Sequence, residues 1–251
     1  MIDKIKVRRH IDEGANFYLW ALGAANHMEY IDNGIYSLIR PKEGQQGGTS
    51  LFQVRLDHLS DAELLEKVYE IKKLNYHTWW GLNLSERALN AVYGNQRPLP
   101  ATETNEEEGQ MALMVQNKPE YGMLDVSASV KKVTSAEDFK IWANICNKVL
   151  HGGYPIIHPE NHYHLCKEDI MPCYIGYYNG VAASVCSILN HKEAASLEFV
   201  GTLEECRRKG LAKAVCITAI EQAFKNGSEI ITLRALSNSK IMYKGMGFEF
   251  Y

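Results

Sequence analysis

The stretch Ser196–Phe224 reads SLEFVGTLEECRRKGLAKAVCITAIEQAF and holds the pattern that decides the fold. It starts with a strand-like run at Leu197–Thr202, continues through a short basic turn, and ends in a long apolar helix. The first N–H groups of a helix lack internal partners and its dipole adds positive potential, so such a junction suits a phosphate. Gly210 permits a close backbone approach that a Cβ would obstruct, and small Ala212 continues that clearance. The stretch therefore predicts a turn that binds a diphosphate.

The turn resembles a known signature. Arg207-x-x-Gly210-x-Ala212 matches the Q/R-x-x-G-x-G/A pattern of the GNAT acyl-coenzyme A N-acyltransferases. The G-x-G-x-x-G and G-x-x-x-x-G-K-[ST] patterns of other phosphate loops do not occur in the sequence. The family follows its loop with a helix, a strand and a short helix bearing N…Y…GF. The corresponding signals here, in the same order, are Ile230–Leu233, Asn238, Tyr243 and Gly247-Phe248. The resemblance covers about residues 125–251.

The resemblance implies an α/β (α+β) fold with a mixed, mostly antiparallel twisted sheet flanked by helices. Strands, a helix, a short strand and a short helix also follow one another in the first half, which predicts two GNAT-like halves in tandem. Segment 56–62 of that half lacks R-x-x-G-x-A, so we expect this copy to be degenerate and without a cofactor loop. An acidic, proline-containing stretch at 98–110 predicts a solvated linker or an exposed excursion of the chain. The boundary falls near Gly122, with a degenerate or accessory domain at 1–122 and an acetyltransferase domain at 123–251.

Local patterns predict the remaining elements. The expected helices are a buried helix at 14–29, one opened by a capping box at Ser60–Glu63, one at 85–93 that ends at Gly94, and one from Ser135 to Leu150. The expected strands are 35–40, 51–56, 76–81, 111–115, 125–133 and a hairpin with an Asn179-Gly180 turn. Segment 153–173 shows no clear period, and in the family this region shapes the acceptor pocket.

Three histidines in segment 153–173 raise the question of a metal. Imidazoles of His158, His162 and His164 could ligate zinc. No acidic or cysteine partner stands at a usual ligand spacing, and the reaction of the family requires no metal. We therefore predict loop histidines that form hydrogen bonds or contact substrate, and no metal site.

Composition narrows the class of protein. The chain has 251 residues, of which 46% are apolar, and a net charge of −3, which suits one large domain or two small ones. This charge gives no long-range attraction to nucleic acid, and no run approaches the ~18 apolar residues of a membrane span. The N-terminus lacks a signal-peptide core and the six cysteines form no C-x-x-C pair. We expect reduced thiols, a cytoplasmic location, and neither nucleic acid nor membrane as a partner.

The resemblance also implies roles for individual residues. Tyr243 stands where the family carries its general-acid tyrosine. Glu198 is the only carboxylate of the run 197–203 and is the candidate general base. A loop histidine or water could serve as the base instead. Without a catalytic role, Glu198 would be a solvent-facing glutamate of the strand. Backbone groups of the strand end pair with the pantetheine arm as an added strand. The implied coenzyme A set is Val200, Gly201, Thr202, Arg207, Arg208, Lys209, Gly210, Leu211, Ala212, Lys213 and Asn238.

The predicted function is N-acetyl transfer from acetyl-CoA, as cosubstrate, to an amine of a small-molecule acceptor by direct attack. Two alternatives stay open: an acyl-CoA-binding regulator without chemistry, and an aminoacyl-tRNA-dependent transferase of paired GNAT-like domains. Neither the acceptor nor the oligomeric state follows from the sequence.

The last predicted feature concerns the edge of the sheet. A complete GNAT sheet has a seventh strand after the one that begins at Gly247-Phe248, and this sequence ends at Tyr251. An open edge exposes unpaired backbone groups. We therefore expect the first half to cover it, through Met111–Val115 or the Trp79-Trp80 run, so that the halves share a continuous or closely packed sheet.

Overall fold

The computed structural model describes residues 4–94, 96, 108–121, 128–191 and 193–251, without the side chain of Ser237. Contacts divide the chain into two compact units, Met1–Pro100 and Ala101–Tyr251. The sequence boundary at Gly122 lies outside the described residues. The two divisions differ in the placement of a strand at Gly109–Met114, which pairs within the second unit. Among the described residues, no helix has the length and apolar character that a membrane span needs.

Within its described residues, the first unit contains three helices and a four-stranded sheet. Its elements are α1 (Lys4–Gly23), β1 (Met28–Asp32), β2 (Ser37–Pro41), β3 (Ser50–Phe52), α2 (Asp61–Leu74), β4 (His77–Thr78) and α3 (Glu86–Tyr93). The order is β1-β2-β3-β4, with antiparallel pairs except for the parallel pair β3–β4. Apolar residues of α2 and α3 form one small core, and those of α1, β2 and β3 form another.

The second unit is built on a seven-stranded sheet of order β11-β5-β10-β9-β8-β7-β6. Its elements are β5 (Gly109–Met114), β6 (Ala128–Lys132), α4 (Ala136–Leu150), α5 (Pro159–Lys167), β7 (Cys173–Tyr178), β8 (Val181–His191), β9 (Ala194–Thr202), α6 (Leu211–Lys225), β10 (Ile230–Ala235), α7 (Lys240–Lys244) and β11 (Glu249–Phe250). Of the six neighbouring pairs, only β9–β10 is parallel. Helix α6 packs on this sheet in the largest core cluster. The predicted fold class, a mixed and mostly antiparallel sheet flanked by helices, is confirmed.

Several local predictions are confirmed. Ser60 and Glu63 form the expected capping box at α2, and Ser135 caps α4. The Asn179-Gly180 turn joins β7 to β8, with both residues at positive φ as a two-residue hairpin requires. Gly94 ends α3, although its ψ of −125° places it outside the left-handed helical region.

Other local predictions were wrong. The first helix runs from Lys4 to Gly23 instead of 14–29, and Met28–Asp32 is a strand. The basic residues in its first turns obscured the apolar periodicity of its buried face. The helix ends where Gly23 packs against Ile39, because a Cβ added to Gly23 would lie 2.2 Å from Ile39 Cγ2. The aperiodic segment 153–173 contains α5, which begins at Pro159. Strands expected at 51–56 and 76–81 shorten to β3 and β4, and residues 125–127 of the expected 125–133 strand lie outside the described range.

A strand is present near the expected Met111–Val115, but it lies inside the sheet and not at its edge. β5 lies between β10 and β11 and pairs antiparallel with both, from Ile230↔Met114 to Ala235↔Gly109 and at Glu249↔Ala112. Met111 and Leu113 are fully buried in the main core cluster. A strand that precedes β6 in the chain is therefore part of this sheet, as expected for Met111–Val115. The prediction that it covers the edge beyond Gly247-Phe248 was wrong, because β11 is itself the last strand of the order. The described strands also form two separate sheets, so the expected continuous sheet does not occur in the described residues. The Trp79-Trp80 run belongs to the first unit.

This placement predicts that a fragment of residues 123–251 is insoluble, because β10 and β11 lose the strand between them and expose unpaired backbone groups and apolar side chains. A fragment of residues 101–251 keeps β5 and should be soluble. Expression of both fragments, followed by circular dichroism of the soluble fraction, compares them. A soluble, cooperatively folded 123–251 fragment would show that β5 is dispensable.

Candidate active site

The site begins where β9 and β10 part. The two strands pair only at Ile230↔Ala194, Ile231↔Ala195 and Thr232↔Ser196. The last pair is joined by side chains, with 3.2 Å between Ser196 Oγ and Thr232 Oγ1. In the described ladder β9 continues to Thr202 without a partner on this side. An open strand edge therefore faces a cleft between two diverging parallel strands, which is a common place for ligands in α/β sheets.

A β-bulge bends β9 inside this cleft. Val185 pairs with Gly201 and Ser187 with Glu198, so Cys186 faces two residues, one of which is Phe199 at φ +55°. An extra residue on one strand re-aims the side chains beyond it. Trp142 of α4 supports the bulge: its indole Nε1 donates to the Cys186 carbonyl at 2.9 Å, and its ring meets that of Phe199 edge to face at 5.6 Å.

The predicted pantetheine strand lies beyond the bulge. On the β8 side, Gly201 and Thr202 pair with Val185 and Ser184, and Thr202 Oγ1 lies 2.8 Å from Ser184 Oγ. Gly201 packs on α4, where an added Cβ would lie 3.0 Å from a methyl group of Val149. The opposite edge of Val200–Thr202 faces the cleft, so its backbone groups are available to an extended ligand.

The predicted diphosphate turn joins β9 to α6. A short 3-10 turn at Glu204–Cys206 precedes it, and Arg208 (φ +64°) and Gly210 (φ +75°) both adopt left-handed backbone. Gly210 is the N-cap residue of α6, and no side chain of the described residues caps this helix end. An added Cβ at Gly210 would meet no atom of the described chain within 4 Å. Helix N–H groups thus open onto free space that a Cβ would enter, as a phosphate site requires.

Basic side chains surround this turn. Those of Arg207, Arg208, Lys209 and Lys213 are exposed, while Leu211 is buried and Ala212 half-buried. Arg207 Nε donates to the Thr202 carbonyl at 3.3 Å. Lys209 Nζ donates to the Glu205 carbonyl at 3.4 Å and lies 4.3 Å from the ring centroid of Tyr178. The turn is therefore positive in charge and in backbone dipole, which favours an anion.

Glu198 lies on β9 just beyond Ser196, the last residue that pairs with β10. Its side chain is 11% exposed and faces Arg234 of β10, with 3.6 Å between Glu198 Oε2 and Arg234 Nη2. Burial raises the pKa of Glu198 to about 7; the Arg234 guanidinium opposes this shift and Glu108 adds to it. A carboxylate that exchanges its proton near neutrality suits a general base, whereas a solvated strand glutamate would not have this pKa.

Tyr243 lies on α7 in the main core and is 6% exposed. Its ring meets that of Phe248 edge to face at 5.8 Å. Burial raises the pKa of Tyr243 well above its ordinary value, and the nearby Cys216, Cys186 and Glu198 add to this shift. The side chain is therefore a neutral phenol at all physiological pH values.

The other predicted positions are placed as follows. Asn238 is exposed in the 3-10 turn Ser237–Ser239 between β10 and α7. The histidines expected in a loop lie at α5 instead: His158 is its N-cap residue, and His162 and His164 lie within it. His162 is buried, and its ring stacks with that of His158 at 6.3 Å. Spacing of two residues turns His162 and His164 to different faces of the helix.

Two residues of this region, Arg234 next to Glu198 and Gln110 opposite Arg234, were not among the predicted site residues. Arg234 is a charged residue in a mostly apolar strand, and this break in the pattern could have identified it as a candidate site residue. Gln110 stands opposite Arg234 on β5, and its buried Oε1 has no hydrogen-bond partner in the described part of the chain. No local pattern could place Gln110 here, because the pairing of β5 with β10 joins distant parts of the chain.

Comparisons with known proteins agree with this geometry. Residues 138–248 match the model of the acetyltransferase (GNAT) family, so this segment is a GNAT domain. No curated protein matches the chain at a significant level of similarity. The family in general transfers acyl groups from acyl-CoA to amines.

Solved structures extend the likeness of fold beyond that segment. A GCN5-related N-acetyltransferase from Kribbella flavida has 17% identity and a TM-score of 0.62, over 96% of this chain and 91% of its own. One from Sphaerobacter thermophilus has 12% identity and a TM-score of 0.58, over 88% of this chain and 79% of its own. The aminoglycoside N-acetyltransferase AAC(6')-Iy in complex with CoA covers 49% of this chain and 88% of its own, with 16% identity and a TM-score of 0.42. The first two show that the fold of nearly the whole chain recurs in GNAT proteins.

Proposed function

We propose that this protein transfers the acetyl group of acetyl-CoA to an amine of a small-molecule acceptor by direct attack. The observation that carries the proposal is the open cleft between β9 and β10 next to the α6 N-terminus, which no side chain of the described residues caps. An extended pantetheine arm can pair with the free edge of Val200–Thr202 while the diphosphate binds the turn 207–213. This arrangement directs the thioester into the cleft where Glu198 lies.

Glu198 acts as general base in this proposal. A free alkylamine is mostly protonated at pH 7, so a base must accept a proton before or during attack. The amine nitrogen then forms a bond to the thioester carbonyl carbon, and the carbon–sulfur bond breaks. A pKa of about 7 leaves a substantial ionised fraction of Glu198 to accept the proton at neutral pH. Arg234 orients the carboxylate through their ion pair.

Tyr243 stabilises the departing sulfur. Its raised pKa makes complete proton transfer to a thiolate, whose conjugate thiol has a pKa near 8.5, unfavourable. A hydrogen bond from the phenol to the developing thiolate needs no complete transfer and is strongest as the carbon–sulfur bond breaks. The thiolate afterwards takes its proton from water or from the nitrogen of the newly formed amide, which is still protonated after the amine has attacked.

The test of the cofactor site is a matched pair of substitutions. Gly210→Val should abolish acetyl-CoA binding in isothermal titration calorimetry, because its side chain enters the diphosphate space. Gly227→Val is the control, since Gly227 also has positive φ (+100°) and no described atom within 4 Å of an added Cβ, but lies after α6. Equal binding by both variants contradicts the site, and a wild-type protein without affinity for any acyl-CoA contradicts the function.

The role of Glu198 predicts a pH profile. Turnover should rise with pH through about 7, because the base acts when ionised. Glu198→Gln should lose roughly 10²- to 10⁴-fold in kcat together with this dependence. Stability moves the other way. A raised pKa makes ionisation of Glu198 unfavourable in the folded state, so wild-type stability falls as pH rises from the ordinary glutamate pKa of 4.5 to about 7 and then levels off. Relative to wild type, the melting temperature of Glu198→Gln should therefore rise over this pH range and stay level above it. A pH profile that survives the substitution assigns the base elsewhere.

The role of Tyr243 predicts a change in kcat alone. Tyr243→Phe should lower kcat by about 10- to 100-fold, the effect of one hydrogen bond to a charged group, with acetyl-CoA affinity nearly unchanged. Tyr121→Phe is the control, because Tyr121 packs on the same core and its hydroxyl donates to the Met246 carbonyl at 3.0 Å. Equal turnover by wild type and Tyr243→Phe shows that water alone stabilises and protonates the departing thiolate.

A further inference from the structure

The first unit repeats the strand arrangement of the active site. Its parallel strands β3 and β4 pair only at Ser50↔His77 and Leu51↔Thr78 and are connected through α2, as β9 and β10 are connected through α6. Gln53 follows β3 with φ +51°, a conformation that non-glycine residues seldom adopt, just as Phe199 does in β9. A strained residue beyond the last parallel pair marks the same point of the fold in both units.

A cavity of about 390 Å³ lies at this point. Three segments line it: α1 contributes Asp12 and Asn16, the chain after β3 contributes residues 53–58, and the chain after β4 contributes residues 80, 81, 83 and 84. It therefore opens beyond the carboxyl ends of β3 and β4, where open α/β sheets bind their ligands. Its volume is in the range of small-molecule sites.

This cavity is unsuited to a diphosphate. The capping box occupies the N-terminus of α2: Glu63 N–H donates to Ser60 Oγ at 3.5 Å, and Ser60 N–H donates to Glu63 Oε2 at 2.9 Å. The carboxylate of Glu63 thus stands where α6 offers free N–H groups to an anion. The first unit therefore has a carboxylate at the start of α2, where the second unit has free N–H groups at the start of α6.

The charges around the cavity favour a cation. Asp12 accepts hydrogen bonds from Trp79 Nε1 at 2.7 Å, Leu82 N–H at 3.3 Å and Asn83 Nδ2 at 3.1 Å, all of them neutral donors. Burial raises the pKa of Asp12, and its neighbour Glu13 adds like charge. A partly buried carboxylate with neutral donors is stabilised when a ligand brings a positive charge.

Neither Asp57 nor Arg55, two other charged residues of the lining, supplies Asp12 with a positive partner. Asp57 is a second carboxylate, which accepts the Ser85 N–H at 3.1 Å. Arg55 is held by an ion pair with Asp32 and by a bond from its Nε to the Gly34 carbonyl at 3.1 Å. Trp80 adds an indole surface, which attracts organic cations.

We propose that this cavity of the first unit is a binding site for a small organic cation that carries a primary ammonium group, with Asp12 as its ion partner and Trp80 as its apolar wall. Such a site is separate from the acyl-transfer cleft of the second unit and does not depend on acetyl transfer. It assigns a ligand-binding role to a unit that lacks a coenzyme A turn.

The test uses the full chain without acetyl-CoA and three monoamine probes, butylamine, tyramine and glucosamine, each compared with its N-acetylated form, which carries no ammonium group. Isothermal titration calorimetry should show saturable binding of at least one amine, and about tenfold or more weaker binding of the form whose ammonium group is lost. Asp12→Asn should weaken binding of that amine by about tenfold or more, since it keeps the volume and removes the charge. Glu66→Gln is the control, because Glu66 is exposed on α2 and outside the cavity.

A second variant guards against misfolding of Asp12→Asn, whose melting curve is measured in parallel. Trp80→Leu keeps an apolar wall and should weaken the same amine by about 2- to 30-fold through loss of the aromatic surface. The proposal is overturned if none of the three amines binds, if the acetylated forms bind as well as the amines, or if folded Asp12→Asn and Trp80→Leu both bind like wild type.

Discussion

The separation of β9 from β10 is the constraint on which the candidate active site depends. Two parallel strands that paired along their whole length would leave no room for a ligand between them. Here pairing stops at Thr232↔Ser196, and the bulge at Phe199 turns the rest of β9 away. Trp142 holds the bulge by donating to the Cys186 carbonyl, a group at the irregular point of the ladder. The cleft thus exists because a buried side chain takes the place of regular strand pairing.

Within this cleft, burial changes the pKa values of the candidate catalytic residues. Glu198 and Arg234 face each other from the separating strands, and both side chains are largely shielded from water. Desolvation of the carboxylate outweighs the attraction of the guanidinium, so the pKa of Glu198 rises to about 7 instead of falling as in an exposed ion pair. The same environment keeps Tyr243 protonated. One buried region thereby holds a group that can accept a proton and a group that can donate a hydrogen bond at neutral pH.

Strand β5 shows how the sheet reaches its full width. The family match spans residues 138–248, yet β5 at Gly109–Met114 lies between β10 and β11. It buries Met111 and Leu113 in the main core and places Gln110 opposite Arg234. A strand from outside the matched segment therefore supports the core and borders the site at the same time. The first unit repeats the parallel pair with α2 between its strands, but its helix start is closed by Glu63.

The sequence by itself determined the features that rest on local physics. A glycine before an apolar helix, a capping box at Ser60–Glu63 and the Asn179-Gly180 turn each act within a few residues, so their patterns predicted α6, α2 and the β7–β8 hairpin. The fold class followed from the resemblance of Arg207-x-x-Gly210-x-Ala212 and the later N…Y…GF signals to the GNAT family. Only the tertiary structure decided the rest. The insertion of β5 beside β10, the pKa of Glu198 and the cavity around Asp12 arise from contacts between distant segments. Desolvation and strand pairing depend on which segments meet, and no window of sequence contains that information.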